Sequence, residues 1–199
     1  MSDYICTSRN AAQIVDHAAK HHPGKRMLFL PDKYLGAVSL SHSSIDPALF
    51  DLYDGACHVH AKIGEMALDE AFAQYPEAEL LIHPECGCAS TCLSKIMNGE
   101  SQFQKAFYLS TEQMIHHAET SEAKEFIVGT EMGMLYRLRR DIPHKKFYPV
   151  SPEAVCEYMK QNTMEKLADS LRHDRFEVTI DEEVREKAQK AIDRMLTIQ

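Results

Sequence analysis

Apolar residues along this chain fall into short continuous runs that alternate with stretches of helical spacing. Arg26–Pro31 (RMLFLP), the run Leu80-Leu81-Ile82, Ala106–Leu109, Phe126-Ile127-Val128 and Phe147–Val150 read as short strands, Leu80-Leu81-Ile82 as one covered on both faces and Phe126-Ile127-Val128 as another buried one. Asp3–Cys6 reads as the last part of another strand. A helix is then expected from Thr7-Ser8 through Ala11, Ile14, Val15 and Ala18, stopped by His22-Pro23-Gly24. Further helices are expected over Ala61–Tyr75, from Cys92 to Met97, from Ser110, and from Gly129-Thr130-Glu131 to about Arg140. Ser110 with Gln113 has capping-box spacing. Ser151 followed by Pro152 pairs an N-cap serine with proline at N1, predicting a helix that carries Cys156 and Met159. Val184, Ala188, Ala191, Ile192 and Met195 mark one side of a final amphipathic helix. Residues 37–54 show no sustained period and read as surface chain. Alternating strands and helices imply an α/β fold with parallel sheets and right-handed crossovers. Two similar α/β units, 1–90 and 91–199, fit this pattern better than one continuous sheet.

Parallel strands deliver their following loops to one edge, and open α/β sheets bind ligands there. The stretch LLIHPECGCASTC, residues 80–92, ends a buried strand with His83 and Glu85. Imidazole and carboxylate together are common equipment for moving protons near neutral pH. Other strand ends and helix starts carry Ser8, Cys57 with His60, Ser110 with Thr111, Thr130, and Cys156. Hydroxyls at helix N-termini suit phosphate or carboxylate ligands, and equally serve as plain N-caps. Cys86, Cys88 and Cys92 have neither zinc-finger nor ferredoxin spacing, and three thiols are too few for a closed structural site. By pattern alone Cys57 and Cys156 are isolated and read as small core residues.

Charge narrows the choice. A net charge of −8 over 199 residues argues against general nucleic-acid or membrane-surface binding. No stretch approaches the ~18 apolar residues of a membrane span, and no signal peptide follows Met1, so a cytoplasmic setting is expected. Six cysteines in that compartment favour metal ligation or redox chemistry over structural disulfides.

Read in order, the chain contains DYICTSRNA, FLPDKYLG, GACHVH, LIHPECGC, YLSTE, FIVGTEMG, VCEYMKQNT and a final RML. On these motifs, which span nearly all of it, the chain resembles the quinolinate synthase family of iron–sulfur enzymes in de novo NAD synthesis. The resemblance implies three similar three-layer α/β domains around a pseudo-threefold axis, one cysteine from each holding a [4Fe–4S] cluster. Cys57 and Cys156 match the second and third cluster ligands. The first ligand and its domain lie upstream of DYICTS in the family, so the chain is expected to be its last two-thirds. Cys6, Cys86, Cys88 and Cys92 do not match cluster ligands. The implied reaction condenses iminoaspartate with dihydroxyacetone phosphate into quinolinate. Glu85 with His83 matches the proton shuttle, and Ser8, His60, Ser110, Thr111 and Thr130 join them in binding substrate. The implied partners are those small molecules, the missing first domain, and an aspartate oxidase or dehydrogenase supplying iminoaspartate, with no nucleic acid or membrane. The alternative is a catalytically inactive two-domain remnant that acts as a ligand-binding or interaction module.

Overall fold

The computed structural model describes residues 2–99 and 101–198. It divides into two units, Cys6–Val155 and Met1–Ile5 with Cys156–Gln199. In chain order the larger unit contains α1 (Ala11–His21), β1 (Met27–Phe29), α2 (Lys33–Ser41), β2 (Phe50–Leu52), α3 (Glu65–Gln74) and β3 (Glu79–Ile82). There follow α4 (Gly87–Met97), β4 (Ala106–Tyr108), α5 (Thr111–Thr120), β5 (Glu125–Gly129), α6 (Gly133–Asp141) and β6 (Lys146–Pro149). Every strand pairing is parallel. β1 pairs with β2, and the other strands form a second sheet in the order β4-β3-β5-β6. The expected α/β class with parallel sheets is therefore present.

The inner strands β3 and β5 are apolar on both faces because both faces are covered. Leu81, Phe126 and Val128 pack against Met114, Ile115 and Ala118 of α5 and Leu135 and Leu138 of α6. Each fully covered Leu, Ile or Phe contributes roughly 1.5–3 kcal/mol. Leu80, Ile82 and Ile127 point the opposite way by strand alternation and are equally buried. On that side lies α4, whose Cys88 Sγ would sit 3.6 Å from a side chain placed on Gly129. The boundary expected at residue 90 falls inside α4, and β3 shares its sheet with the three strands that follow it.

Several local expectations change. Asp3–Cys6 forms no strand, and Thr7-Ser8 starts a turn instead of the helix. The Asn10 side-chain oxygen accepts from both the Thr7 N–H (2.8 Å) and its hydroxyl (3.0 Å), so α1 begins only at Ala11. Residues 37–54 contain most of α2 together with β2. The helix expected from Ala61 is a 3-10 turn, His60–Lys62, followed by α3 from Glu65. Ile63 between them is fully buried, and Gly64 takes an extended conformation. The Ser151-Pro152 start produces a turn and no α-helix, and Cys156 and Met159 lie outside any α-helix. The Ala154 carbonyl is bonded at 2.9 Å by the Met132 N–H at the start of α6, a tertiary bond that replaces helical pairing.

The smaller unit holds α7 (Met164–His173) and α8 (Glu182–Thr197). Thr163 and Asp181 cap their N-termini with side-chain oxygens, and Asp174 ends α7 in the left-handed region. Arg194 ties the N-terminal residues to α8. It donates to the Asp3 carbonyl at 2.7 Å and lies over the Tyr4 ring. Among the described residues no helix is long and apolar enough to cross a membrane.

Candidate active site

The strand order β4-β3-β5-β6 reverses direction between β3 and β5. The chain leaves β3 for β4 on one side, then returns across β3 to build β5 on the other. Loops leaving two such strands diverge, and the crevice between them is where open α/β sheets take their ligands. Ile82 pairs with Gly129 as the last register of β3 and β5, and the His83 N–H bonds the Gly129 carbonyl at 3.0 Å. This extension sets His83 beside the end of β5, where Thr130 follows Gly129.

His60 reaches the same place from the 3-10 turn before α3. Its ring stacks on His83 with centroids 5.1 Å apart and planes 10° from parallel. Nε2 of His60 lies 3.0 Å from the Thr130 hydroxyl. Its Nδ1 is buried with no hydrogen-bond partner among the described residues and lies 3.8 Å from Glu85 Oε2. The same carboxyl oxygen is 3.9 Å from Nδ1 of His83. The potential ligand atoms of His60, His83 and Glu85 all lie within 4.8 Å of one another, the only such trio of metal-compatible groups among the described residues.

Burial sets the electrostatics. His60 and His83 are 9% and 8% exposed. Burial, reinforced by the neighbouring His60, pushes His83 down to about 4. Burial lowers His60 as well, opposed by the nearby Asp32 and Glu131. Burial raises Glu85 above the ordinary carboxyl range, and Asp32 adds to the rise. Near neutral pH the crevice therefore offers a neutral His83 imidazole beside a carboxyl that holds its proton longer than usual. Such groups can pass protons, and the three donors can also hold a divalent cation.

The structure brings together His60, His83, Glu85 and Thr130. The Thr130 hydroxyl faces His60. Ser110 is buried at the end of β4 and caps α5, where its N–H and hydroxyl both donate to Gln113 Oε1 at 3.0 and 2.8 Å. Thr111 beside it is exposed. Ser8 sits partly exposed in the turn before α1. Cys57 is partly exposed, and its N–H bonds the Asp32 carboxylate at 3.2 Å. Cys156 is partly exposed and belongs to the smaller unit. Cys86, Cys88 and Cys92 are fully buried. A bond to Cys86 and burial raise the Cys88 thiol, and burial lifts Cys92 to about 11, so these thiols pack as core. Burial raises the Cys6 thiol, and the nearby Glu85 adds to the rise.

Asp32 and Glu131 were not singled out from sequence, although both stand in quoted motifs. Asp32 stands just past β1, and Glu131 just past the buried β5. Asp32 caps α2 by accepting from the Leu35 N–H at 2.8 Å, and Glu131 accepts from the Gly133 N–H at 2.6 Å. An acid directly before a helix start was the available signal.

Fold and crevice place the chain among the open parallel α/β proteins, whose ligand sites lie at such switch points. A family model described as Quinolinate synthetase A protein matches residues 1–197, and the chain belongs to that family. It is 40% identical over 195 residues to a quinolinate synthase of Pyrobaculum aerophilum, covering 98% of this chain and 61% of that protein. A Thermus thermophilus quinolinate synthase is 41% identical over 198 residues, covering all of this chain and 60% of the relative. Quinolinate synthase 2 of Methanosarcina acetivorans is 40% identical over 197 residues, covering 99% and 58%. The chain thus spans about three-fifths of the length of these relatives.

Proposed function

We propose that this chain carries part of the active site of a quinolinate synthase. The reaction condenses iminoaspartate with dihydroxyacetone phosphate, losing phosphate and water as the pyridine ring closes. Family membership supports the reading, and the observation that carries it is the gathering of His60, His83 and Glu85 within 4.8 Å at the switch crevice. Dehydration and tautomerisation need protons delivered to and taken from neighbouring atoms. Glu85, with its raised pKa, is the group we assign to both tasks, and His83, neutral near pH 7, accepts a proton beside it. His60 presents a bare Nδ1 to the same space when its proton sits on Nε2 toward Thr130. Ser8, Ser110, Thr111 and Thr130, with His60, are assigned to the carboxylate and phosphate groups of the substrates.

Cys57 and Cys156 are assigned as two of the cysteine ligands of a [4Fe–4S] cluster, the third belonging to a part of the relatives that this chain does not span. Both thiols are partly exposed and outside any disulfide, a soft donor set that suits iron–sulfur ligation. When bound, such a cluster supplies a Lewis-acidic iron with an open position. Reduced thiols fit the cytoplasm. In this reading the whole enzyme has three similar domains, and an aspartate oxidase or dehydrogenase supplies iminoaspartate.

The test is anaerobic iron–sulfur reconstitution of the chain alone and together with the segment of the relatives that this sequence does not span. The chain alone should retain little iron and make no quinolinate, and the added segment should restore both. Stoichiometric cluster and quinolinate from the chain alone would overturn this division of ligands. Within the complete enzyme, Glu85→Gln should lower kcat by about 100-fold or more with KM nearly unchanged. A normal kcat would remove Glu85 from the mechanism.

A further inference from the structure

The segment that leads to His60 is tied to the end of β1 by three close approaches. The Lys33 N–H bonds the Gly55 carbonyl at 2.8 Å. A side chain on Gly55 would stand 2.3 Å from the Pro31 carbonyl oxygen, so the two backbones meet more closely than any Cβ permits. Between them lies Asp32, only 6% exposed. One of its carboxylate oxygens accepts from the Leu35 N–H at 2.8 Å and the other from the Cys57 N–H at 3.2 Å. Its two oxygens therefore join two segments remote in sequence, the first turn of α2 and the loop through Cys57. A carboxylate is acceptor-only on both oxygens, whereas an amide turns an N–H group toward one of these donors.

We infer that Asp32 is a positioning residue for the candidate active site, clamping the loop that carries Cys57 and His60 onto the start of α2. The inference rests on the reading of Cys57 and His60 as site residues. His60 shows what the clamp secures. It is held between the Thr130 hydroxyl and the His83 ring, with Glu85 3.8 Å away and the carboxylates of Asp32 and Glu131 acting on it. None of these contacts survives if the loop swings away. The charge of Asp32 also reaches His60 directly and favours its protonated form.

Hydrogen exchange on the unliganded full chain tests the clamp itself, so its failure would leave the assignment of Cys57 and His60 standing. Asp32→Asn keeps the shape and removes one acceptor. Amide exchange over residues 33–36 or 55–58 should quicken by about tenfold or more, while β5 keeps its protection. The His60 ring, followed by NMR against pH, should shift its midpoint downward because a negative neighbour is gone. A rise toward the ordinary histidine value would report His60 leaving its buried place, a larger form of the same loss. Unchanged exchange in both segments, or an unmoved His60 midpoint, overturns the inference. Loss of protection in β5 as well would make Asp32 a support of the whole fold and would also overturn it. Asp32→Ala, which removes both acceptors, should speed exchange in both segments at once.

Discussion

Acid should destabilise this fold through His83. The imidazole is held down to about 4 in the folded chain, against an ordinary value of 6.5. The unfolded chain therefore binds a proton at higher pH than the folded one does. Stability from this group is fully present above about pH 6.5 and is lost as pH falls through the folded value. The full displacement corresponds to about 3.4 kcal/mol, and linkage between about pH 7.5 and 4.5 removes about 2.5 kcal/mol of it. Glu85 works in the opposite sense. Its raised pKa means that the folded chain takes up a proton first, which favours the fold as the pH drops. The measurement must therefore compare wild type with His83→Gln. Urea unfolding at both pH values should show the wild type losing about 2 kcal/mol more than the variant. NMR titration of the His83 ring supplies an independent check. A His83 midpoint near 6.5, or equal losses in the two proteins, would refute the claim that burial keeps this imidazole neutral.

Three further substitutions probe the scaffold. Gly55→Ala should cost about 1–3 kcal/mol, because its Cβ would meet the Pro31 carbonyl oxygen at 2.3 Å, a backbone atom with no room to yield. Gly129→Ala, whose nearest contacts are 3.5 Å away or more, should stay much closer to wild type, and equal losses by denaturant unfolding would contradict the packing argument. Lys145→Met should cost about 2 kcal/mol. It leaves the Ala118 and Ser121 carbonyls at the end of α5 without the ammonium that bonds each at 2.6 Å, and removes a cation held over the Phe126 ring. An unchanged unfolding midpoint would show that water replaces those bonds freely.

The strands that build the site were legible because each is a compact apolar run whose continuity survives in any context. Leu80-Leu81-Ile82 and Phe126-Ile127-Val128 could be read as buried strands, and His83, Glu85 and Thr130 follow from where those runs stop. The stretch at 37–54 was not legible. α2 buries Leu35, Gly36, Val38 and Ser39 together, so it shows no clean polar face, and β2 is three residues defined by pairing with β1. Ser151-Pro152 gave a sound local signal that lost to a tertiary bond at Ala154.

By itself, then, the sequence determined the α/β class, the inner strands and the chemistry standing at their ends, because apolar continuity and residue type are local properties. Tertiary structure alone decided which ends meet. His60 lies 70 residues from its partner Thr130, and Asp32 lies 25 from Cys57, so neither pairing leaves a periodic trace along the chain. Strand order put β5 beside β3, with β4 on its other flank, and the crevice lies where that order reverses. The protonation behaviour of the site is likewise tertiary. His83 and Glu85 are ordinary titrating groups until burial removes the water that would stabilise their charges.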